Sequence, residues 1–411
     1  MFAGKIGLLL LAALTIPQNG IVAAGANQMP KGWGADGWGT FKLSIKNGGS
    51  KSARVVEWKA WWEANGKRIG DPLSGNIEEN VQPGNEWSKV EYAVLPANIA
   101  KAAKPNAARI VGEISVAIDG QKTPYKFEVE VPEYVLPEPL KTVSGKYVAL
   151  SVMESRYKTF KHVERTMKWM DEAYGRMIDL TGETPFDGRK MTLKEAPPHP
   201  WWAYAGENMI LNTDYVASAL KQSDEGGIPF GWVHEVGHNF DTLGDWYIWN
   251  GPAAEWQANF KLGYAMETHP DPTIRMFWEH YPPGYPAPPG DHPLIAGQEY
   301  IERFFLPFGD VYLADPSRKW DSMTSDEMHS FFQRIQRIYG WEVFRQWYRT
   351  YRKLQDAGMK PPTTPEEKVA LIAAILERNA KADLVPVFQR WRFPVTRQTV
   401  DAAALKYKLS Q

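Results

Sequence analysis

The hydrophobic period of this chain changes near residue 140, and that change limits its architecture more than any other feature. From Thr40 to about Tyr134, apolar residues fall on every second position. Val56, Trp58, Ala60 and Trp62 alternate with Glu57, Lys59 and Trp61. Ile110, Ile114, Val116 and Ile118 share one face of another run, and Tyr125, Phe127, Val129 and Val131 alternate with Lys126, Glu128 and Glu130. Successive side chains of a strand point to opposite faces, so period two predicts strands with one buried face. Asp119-Gly120 between two runs signals a tight hairpin, whose turn needs positive φ at both positions. Several short strands in succession predict a β-sandwich over 40–134, with Pro132, Pro137 and Pro139 at its exit.

A second unit is expected over 143–411, with an α/β part at 143–225 and a helical part at 226–411. Tyr147–Met153 reads as a strand. Val163, Met167, Met170, Tyr174 and Met177 then recur at helical spacing, and Gly182 can close that helix. Strands are expected near Lys190–Lys194 and Asn208–Asn212. Thr324 with Glu327, and Thr364 with Pro365 and Glu367, are helix starts of the capping-box kind. The proline-rich run Pro282–Pro293 predicts an ordered loop.

With 411 residues, 44% of them apolar and 13% aromatic, the chain can bury sizeable cores. A net charge of -1 gives no basic surface for nucleic acid or an anionic membrane. Residues 1–24 read as a secretory signal: Lys5 is the positive end, and Ile6 to Ile16 is an apolar run too short to span a bilayer. Ala23, Ala24 and Ala26 predict cleavage after Ala24 or Ala26. Residues 25–39, rich in Gly and Trp, read as a linker. No other stretch predicts a transmembrane helix. The chain has no cysteine, so a lipoprotein-type anchor is not expected, and an exported protein must rely on its core or on metal. The expected location is the periplasm or the extracellular space.

The segment Gly231-Trp-Val-His-Glu-Val-Gly-His-Asn-Phe240 contains His-Glu-x-x-His. Residues four apart lie on one face of a helix, so His234 and His238 can present imidazole nitrogens to one Zn2+ ion. Glu235 sits where it can take a proton from metal-bound water. Val233, Val236, Phe240 and Leu243 form an apolar stripe that would bury the opposite face, with Pro229 to begin the helix and Gly244 to end it. A chance pair of surface histidines would need no such stripe. Catalytic zinc takes three protein ligands and keeps a fourth position open. Sixteen residues separate His238 from Glu255, which follows a helix start at Asn250-Gly-Pro. Asp241, Asp245 and Glu267 are rival third ligands. Asp241 is too close in sequence to reach around the metal easily, and Glu255 is favoured. Asn259, one turn past Glu255, either orients a histidine from behind or faces solvent.

Four pieces resemble the enhancin-like and mucin-peptidase family of gluzincin zinc metallopeptidases, metallopeptidase family sixty. They are His199-Pro-Trp-Trp-Ala-Tyr-Ala-Gly-Glu-Asn-Met-Ile210, the His234–His238 motif, Glu255 followed by Asn259, and the tail Asp383-Leu-Val-Pro-Val-Phe-Gln-Arg-Trp-Arg-Phe-Pro394. The match spans roughly residues 145–395, and the segment 203–208 departs somewhat from the family's usual strand. The resemblance implies a zinc peptidase acting on proteins, often glycosylated ones. The expected fold class is therefore multidomain: an N-terminal all-β sandwich, then an α+β zincin-like (gluzincin) catalytic domain with a mostly helical C-terminal part.

In gluzincins an edge strand ahead of the zinc helix pairs with the substrate backbone. Ala203, Tyr204, Ala205 and Gly206 occupy that place here, although an ordinary edge or turn would read the same. Tyr264, His280, Tyr281, His292 and Tyr300 are candidates for stabilising an oxyanion. Of the 18 Trp most are expected in cores. Trp232 and Trp256 flank the metal ligands and are the first candidates for substrate contact, whereas Trp58 and Trp62 read as core. The leading expectation is a secreted zinc-dependent endopeptidase with protein or glycoprotein substrates such as mucins. The alternatives are a zinc amidase on cell-wall peptides and a non-cleaving module that binds glycans or surface proteins. An intact Glu235 argues against the last.

Overall fold

A computed structural model of the chain describes residues 18–102, 108–277, 294–296 and 305–409. It has an N-terminal β-sheet region, a mixed α+β part and a largely helical C-terminal part. The chain divides into two compact units, Met1–Pro137 with Ala196–Trp201, and Glu138–Glu195 with Trp202–Gln411.

In the first unit, β1 (Ile21–Asn27), β2 (Trp38–Asn47) and β5 (Glu86–Val94) form an antiparallel sheet in the order β1-β2-β5. A second antiparallel sheet, of β3 (Ala53–Ala64), β4 (Lys67–Val81), β6 (Ala108–Ile118) and β7 (Gln121–Val131), has the order β4-β3-β6-β7. Helix α1 (Ala97–Ala102) lies between β5 and β6 in the chain. Inner faces of both sheets share one core, in which Phe41, Leu43 and Ile45 join Trp58, Ile110, Ile114, Phe127 and Val129. Trp58 and Trp62 are core residues, as their alternation predicts. Val56 is not: the register shifts between Val55 and Glu57, and Val55 takes the fully buried place. A bulge adds one residue to a strand and reverses its phase, which period counting alone misses. Asp119 and Gly120 turn the β6–β7 hairpin with φ of 50° and 81°, both positive as the tight turn demands.

Residues 25–39 are not a linker. They hold the end of β1 and the start of β2, and between them Trp33 is fully buried, edge-on to Trp62 and donating its Nε1–H to Asn27 Oδ1 at 2.8 Å. Gly39 belongs to this packing, since a Cβ there would lie 2.1 Å from the Trp33 ring. Glycines that read as flexibility here make room for an indole. The expected cleavage points after Ala24 and Ala26 fall inside β1, where Ala24 pairs with Ser44 and Ala26 with Lys42. The apolar run before residue 18 lies outside the described residues.

The second unit begins with β8 (Leu140–Ser144) and β9 (Val148–Met153), an antiparallel pair. Helices α2 (Glu154–Thr159) and α3 (Val163–Thr181) follow, then β10 (Met191–Ala196), β11 (Ala203–Tyr204) and β12 (Asn208–Asn212). The sheet order is β11-β12-β10-β9-β8, with β11 at one edge. Strands β9 and β10 are parallel, Leu150 opposite Leu193, and α3 supplies the crossover that a parallel pair requires. Met167, Met170, Tyr174 and Met177 make its buried face, and Gly182 closes it in the left-handed conformation. The short edge strand β8, between Pro139 and Gly145, carried no clear period in the sequence.

Beyond it come α4 (Thr213–Asp224), β13 (Gly227–Ile228), α5 (Phe230–Asn239), α6 (Gly244–Tyr247) and α7 (Gly251–Glu267). Strands β14 (Arg275–Phe277) and β15 (Leu294–Ala296) continue from β13 in a small sheet. The remaining helices are α8 (Leu306–Ala314), α9 (Ser325–Tyr339), α10 (Trp341–Asp356), α11 (Pro365–Ala380), α12 (Val385–Arg390) and α13 (Arg397–Lys406). Thr324 and Glu327 form the reciprocal capping box of α9. Thr364 caps α11, but Glu367 turns its carboxylate to the amide of Thr363 rather than Thr364. Pro282–Pro293 lies outside the described residues. Every residue of α7 from Trp256 to Met266 is buried, as befits a helix without a polar face. Trp256 stacks on Phe332 of α9 with ring centroids 4.1 Å apart, so α7 is a fixed axis for the groups it carries. Among the described residues, no helix is long and apolar enough to cross a membrane.

Candidate metal centre

Helix α5 starts after Pro229, which occupies the N-cap. Val233, Val236 and Phe240 are buried to within 1%, so the apolar stripe anchors the helix and turns His234, Glu235 and His238 away from that core. The helix ends at Asn239, not at Gly244. Asp241 N–H donates to His238 O at 3.0 Å, and Gly244 opens the short α6. The chain then reverses to Asn250, whose side chain caps α7 by accepting from Ala253 N–H at 2.8 Å, with Pro252 in the first turn.

Close approach of the two helices depends on Gly237. A Cβ there would sit 2.7 Å from Ala258 O and 3.0 Å from Ala258 Cα, both backbone atoms of α7. The glycine inside His-Glu-x-Gly-His therefore sets how near Glu255 comes to the two imidazoles.

His234, His238 and Glu255 form a group able to hold a metal ion. His234 Nε2 lies 3.1 Å from His238 Nε2 and 3.1 Å from Glu255 Oε2, and His238 Nε2 lies 3.5 Å from the same oxygen. A tetrahedral zinc site with bonds of about 2.0–2.1 Å has ligand atoms about 3.3–3.4 Å apart, so this donor triangle fits zinc. The other ring nitrogens face backing groups. His234 Nδ1–H donates to Asn259 Oδ1 at 2.7 Å, which leaves its Nε2 lone pair toward the triangle. His238 Nδ1 faces Asp241 Oδ2 at 3.7 Å. Asp241 thus stands behind a histidine, outside the triangle. Asp245 and Glu267 are also outside the triangle: Asp245 acts on Lys368, and Glu267 binds Arg337 and the Trp341 Nε1–H.

Charges at the site are mutually adjusted. Hydrogen bonds from His234 and His238 hold the Glu255 carboxyl far below its usual range. Burial works to lower the His238 imidazole, but the carboxylates of Asp241 and Glu255 outweigh it and raise it to about 9. Burial pushes the Glu235 carboxyl up, against the lowering influence of both imidazoles and of the Ala205 backbone amide that hydrogen-bonds it. Asp326, in the first turn of α9, had no signal in the sequence. Burial pushes its carboxyl up to about 6, while nearby His234 opposes the shift.

The Ala205 contact ties the segment 203–206 to the site. Among the described residues Ala203 and Tyr204 pair only with β12, opposite Leu211 and Ile210, and Asn239 Nδ2 donates to Gly206 O at 3.1 Å. Trp232 and Trp256 are not available to substrate, at 4% and 0% exposure. Both follow the buried stripe of their helices, and adjacency in sequence to a ligand does not expose a side chain. Trp201 and Trp202 are exposed instead, at 40% and 41%. Tyr264 is buried, with its hydroxyl bound to Asp179 and Arg345. His280, Tyr281, His292 and Tyr300 lie outside the described residues.

No family model matches the chain. TRPM8 channel-associated factor 2 of Homo sapiens is 22% identical over 260 residues, 62% of this chain and 25% of that protein, so the chain spans about a quarter of the length of this curated relative. Several solved structures align with most of the chain. A functionally unknown conserved protein mutant from Bacillus anthracis shares 16% identity over 94% of this chain and 79% of that one, with a TM-score of 0.48. The ZmpB metallopeptidase from Clostridium perfringens shares 15% over 92% and 78%, with a TM-score of 0.41. The M60 catalytic domain of Clostridium perfringens ZmpC, in complex with the sialyl T antigen, shares 13% over 92% and 76%, with a TM-score of 0.43.

Proposed function

We propose that this chain, which resembles the enhancin-like and mucin-peptidase family, is an exported zinc-dependent endopeptidase that cleaves protein chains, including glycoproteins such as mucins. The observation that carries the proposal is the zinc-sized triangle of His234, His238 and Glu255 with Glu235 on the same helix. Zinc, when bound, supplies a Lewis acid that polarises a carbonyl and makes water more acidic. Glu235 is the general base: it lies between the two histidines in sequence, outside the donor triangle, and its raised carboxyl suits both accepting a proton and returning it to the leaving amine. Asn259 fixes the tautomer of His234.

Strand β11 and its continuation to Gly206 would align an extended substrate. An edge strand offers unpaired backbone groups to a peptide, which gives binding that tolerates many sequences. The metal ligands and Glu235 all belong to the second unit, so the N-terminal unit assists or docks rather than catalyses. The glycoprotein preference follows from the family resemblance and the expected export.

One bound zinc per chain is expected on metal analysis, lost in His234→Ala and His238→Ala. Glu235→Gln should keep the zinc and lose activity on the order of 10²–10⁴-fold. The assay is incubation with a panel of mucin-type glycoproteins, their deglycosylated forms and cell-wall peptides. A purified protein that takes up no zinc refutes the metal centre, and full activity in Glu235→Gln refutes its role. Equal cleavage of glycosylated and deglycosylated proteins removes the glycoprotein preference, and cleavage of cell-wall peptides alone reassigns the enzyme as an amidase.

A further inference from the structure

We propose that Asp241 is a positioning residue for His238, held in that role by the buried Lys261. The inference rests on the zinc reading above. Asp241 lies two residues beyond α5, and the backbone fixes it there: its N–H donates to His238 O at 3.0 Å and its carbonyl accepts from Gly244 N–H at 2.9 Å. The two carboxylate oxygens have separate duties. Oδ1 accepts from Lys261 Nζ at 2.5 Å and from the Tyr247 hydroxyl at 3.1 Å. Oδ2 is left facing His238 Nδ1 at 3.7 Å. That separation is an electrostatic contact and not yet a hydrogen bond.

Lys261 makes the arrangement more than a chance contact. Its side chain is wholly buried, and a buried ion pair is usually less stable than an apolar pair of similar volume. Leu or Met at position 261 would suit the apolar surroundings of α7 better if packing were the only requirement. With Lys261 present, Asp241 can direct an imidazole without adding a net negative charge behind the metal ligands. The partner histidine is served in parallel: Asn259, two residues before Lys261 on α7, backs His234 with a neutral oxygen. Helix α7 thus supplies one donor of the triangle, the group behind one histidine and the counter-charge to the group behind the other. A metal-bound histidine needs such a partner at its second nitrogen to fix its tautomer and ring orientation.

The test measures zinc affinity of the full-length protein by competition with a chelator of known affinity, together with the visible absorption of the Co2+-loaded form and the melting temperature. Asp241→Asn keeps the side-chain shape and removes the charge. It should weaken zinc binding on the order of 10–100-fold and alter the Co2+ spectrum. If the single variant does not fold because Lys261 is stranded, Asp241→Asn combined with Lys261→Met removes both charges and should show the same loss. A folded variant with wild-type zinc affinity and an unchanged Co2+ spectrum, whatever its melting temperature, overturns the positioning role while leaving the metal centre intact. A wild-type protein that takes up no zinc overturns both.

Discussion

Replacing Gly237 by alanine adds one methyl group at the closest point between the two helices that carry the donor triangle. The new Cβ would lie 2.7 Å from Ala258 O, whereas ordinary contact begins at 3.4 Å, so α5 and α7 must separate by about 0.7 Å. The obstacle is backbone on a helix buried on all sides, and no side-chain rotation relieves it. The same displacement carries His234 and His238 away from Glu255. Nitrogen–oxygen separations of 3.1 and 3.5 Å would become about 3.8–4.2 Å, beyond the spacing of about 3.3–3.4 Å that tetrahedral zinc accepts. Overpacking of this kind costs about 1–3 kcal/mol. If zinc binding must restore the native spacing, that strain opposes binding and weakens it about 5- to 150-fold. Chelator competition reads the affinity, and thermal unfolding of the metal-free protein reads the strain. Gly251→Ala is the control, because nothing lies within 4 Å of a Cβ at that position. Wild-type zinc affinity and an unchanged melting temperature in Gly237→Ala would show that Gly237 does not set the spacing.

Two further predictions concern Asn259 behind the centre and the buried His329. Asn259→Ala removes the acceptor at His234 Nδ1 and should weaken zinc binding on the order of 10–100-fold without unfolding the protein. Unchanged affinity in the chelator titration would assign Asn259 to packing alone. Burial depresses the His329 imidazole to about 3, so between that pH and its ordinary value near 6.5 the unfolded chain binds a proton that the folded chain does not. Stability should therefore fall as pH drops from about 6.5 toward 3, with a contribution from this group of up to about 1.4 kcal/mol per pH unit. His329→Phe, placed against Phe305 on which His329 now stacks, should flatten that slope in denaturant titrations. An identical slope in the variant would sink the assignment.

The sequence alone determined what depends on neighbours a few residues apart. Period two placed β3, β6 and β7 of the first unit, and the 3.6-residue repeat placed α3 with its buried face and its terminating Gly182. Thr324, Thr364 and Asn250 marked helix starts because a cap is a bond to an amide within the next turn. His234 and His238 could be paired from spacing, since one helical turn brings them together whatever surrounds it. Tertiary structure decided the rest. Whether Val55 or Val56 faces the core depends on a bulge set by the partner strand. Whether the Gly- and Trp-rich stretch at 25–39 is ordered depends on the burial of Trp33 against Trp62, far from it in sequence. Glu255, rather than Asp241, Asp245 or Glu267, meets the two histidines because α7 packs on α5 at Gly237, a distance no local pattern encodes. Asp241 and Lys261 are twenty residues apart with nothing in their spacing to join them, and the buried turn between α5 and α7 alone makes them a pair.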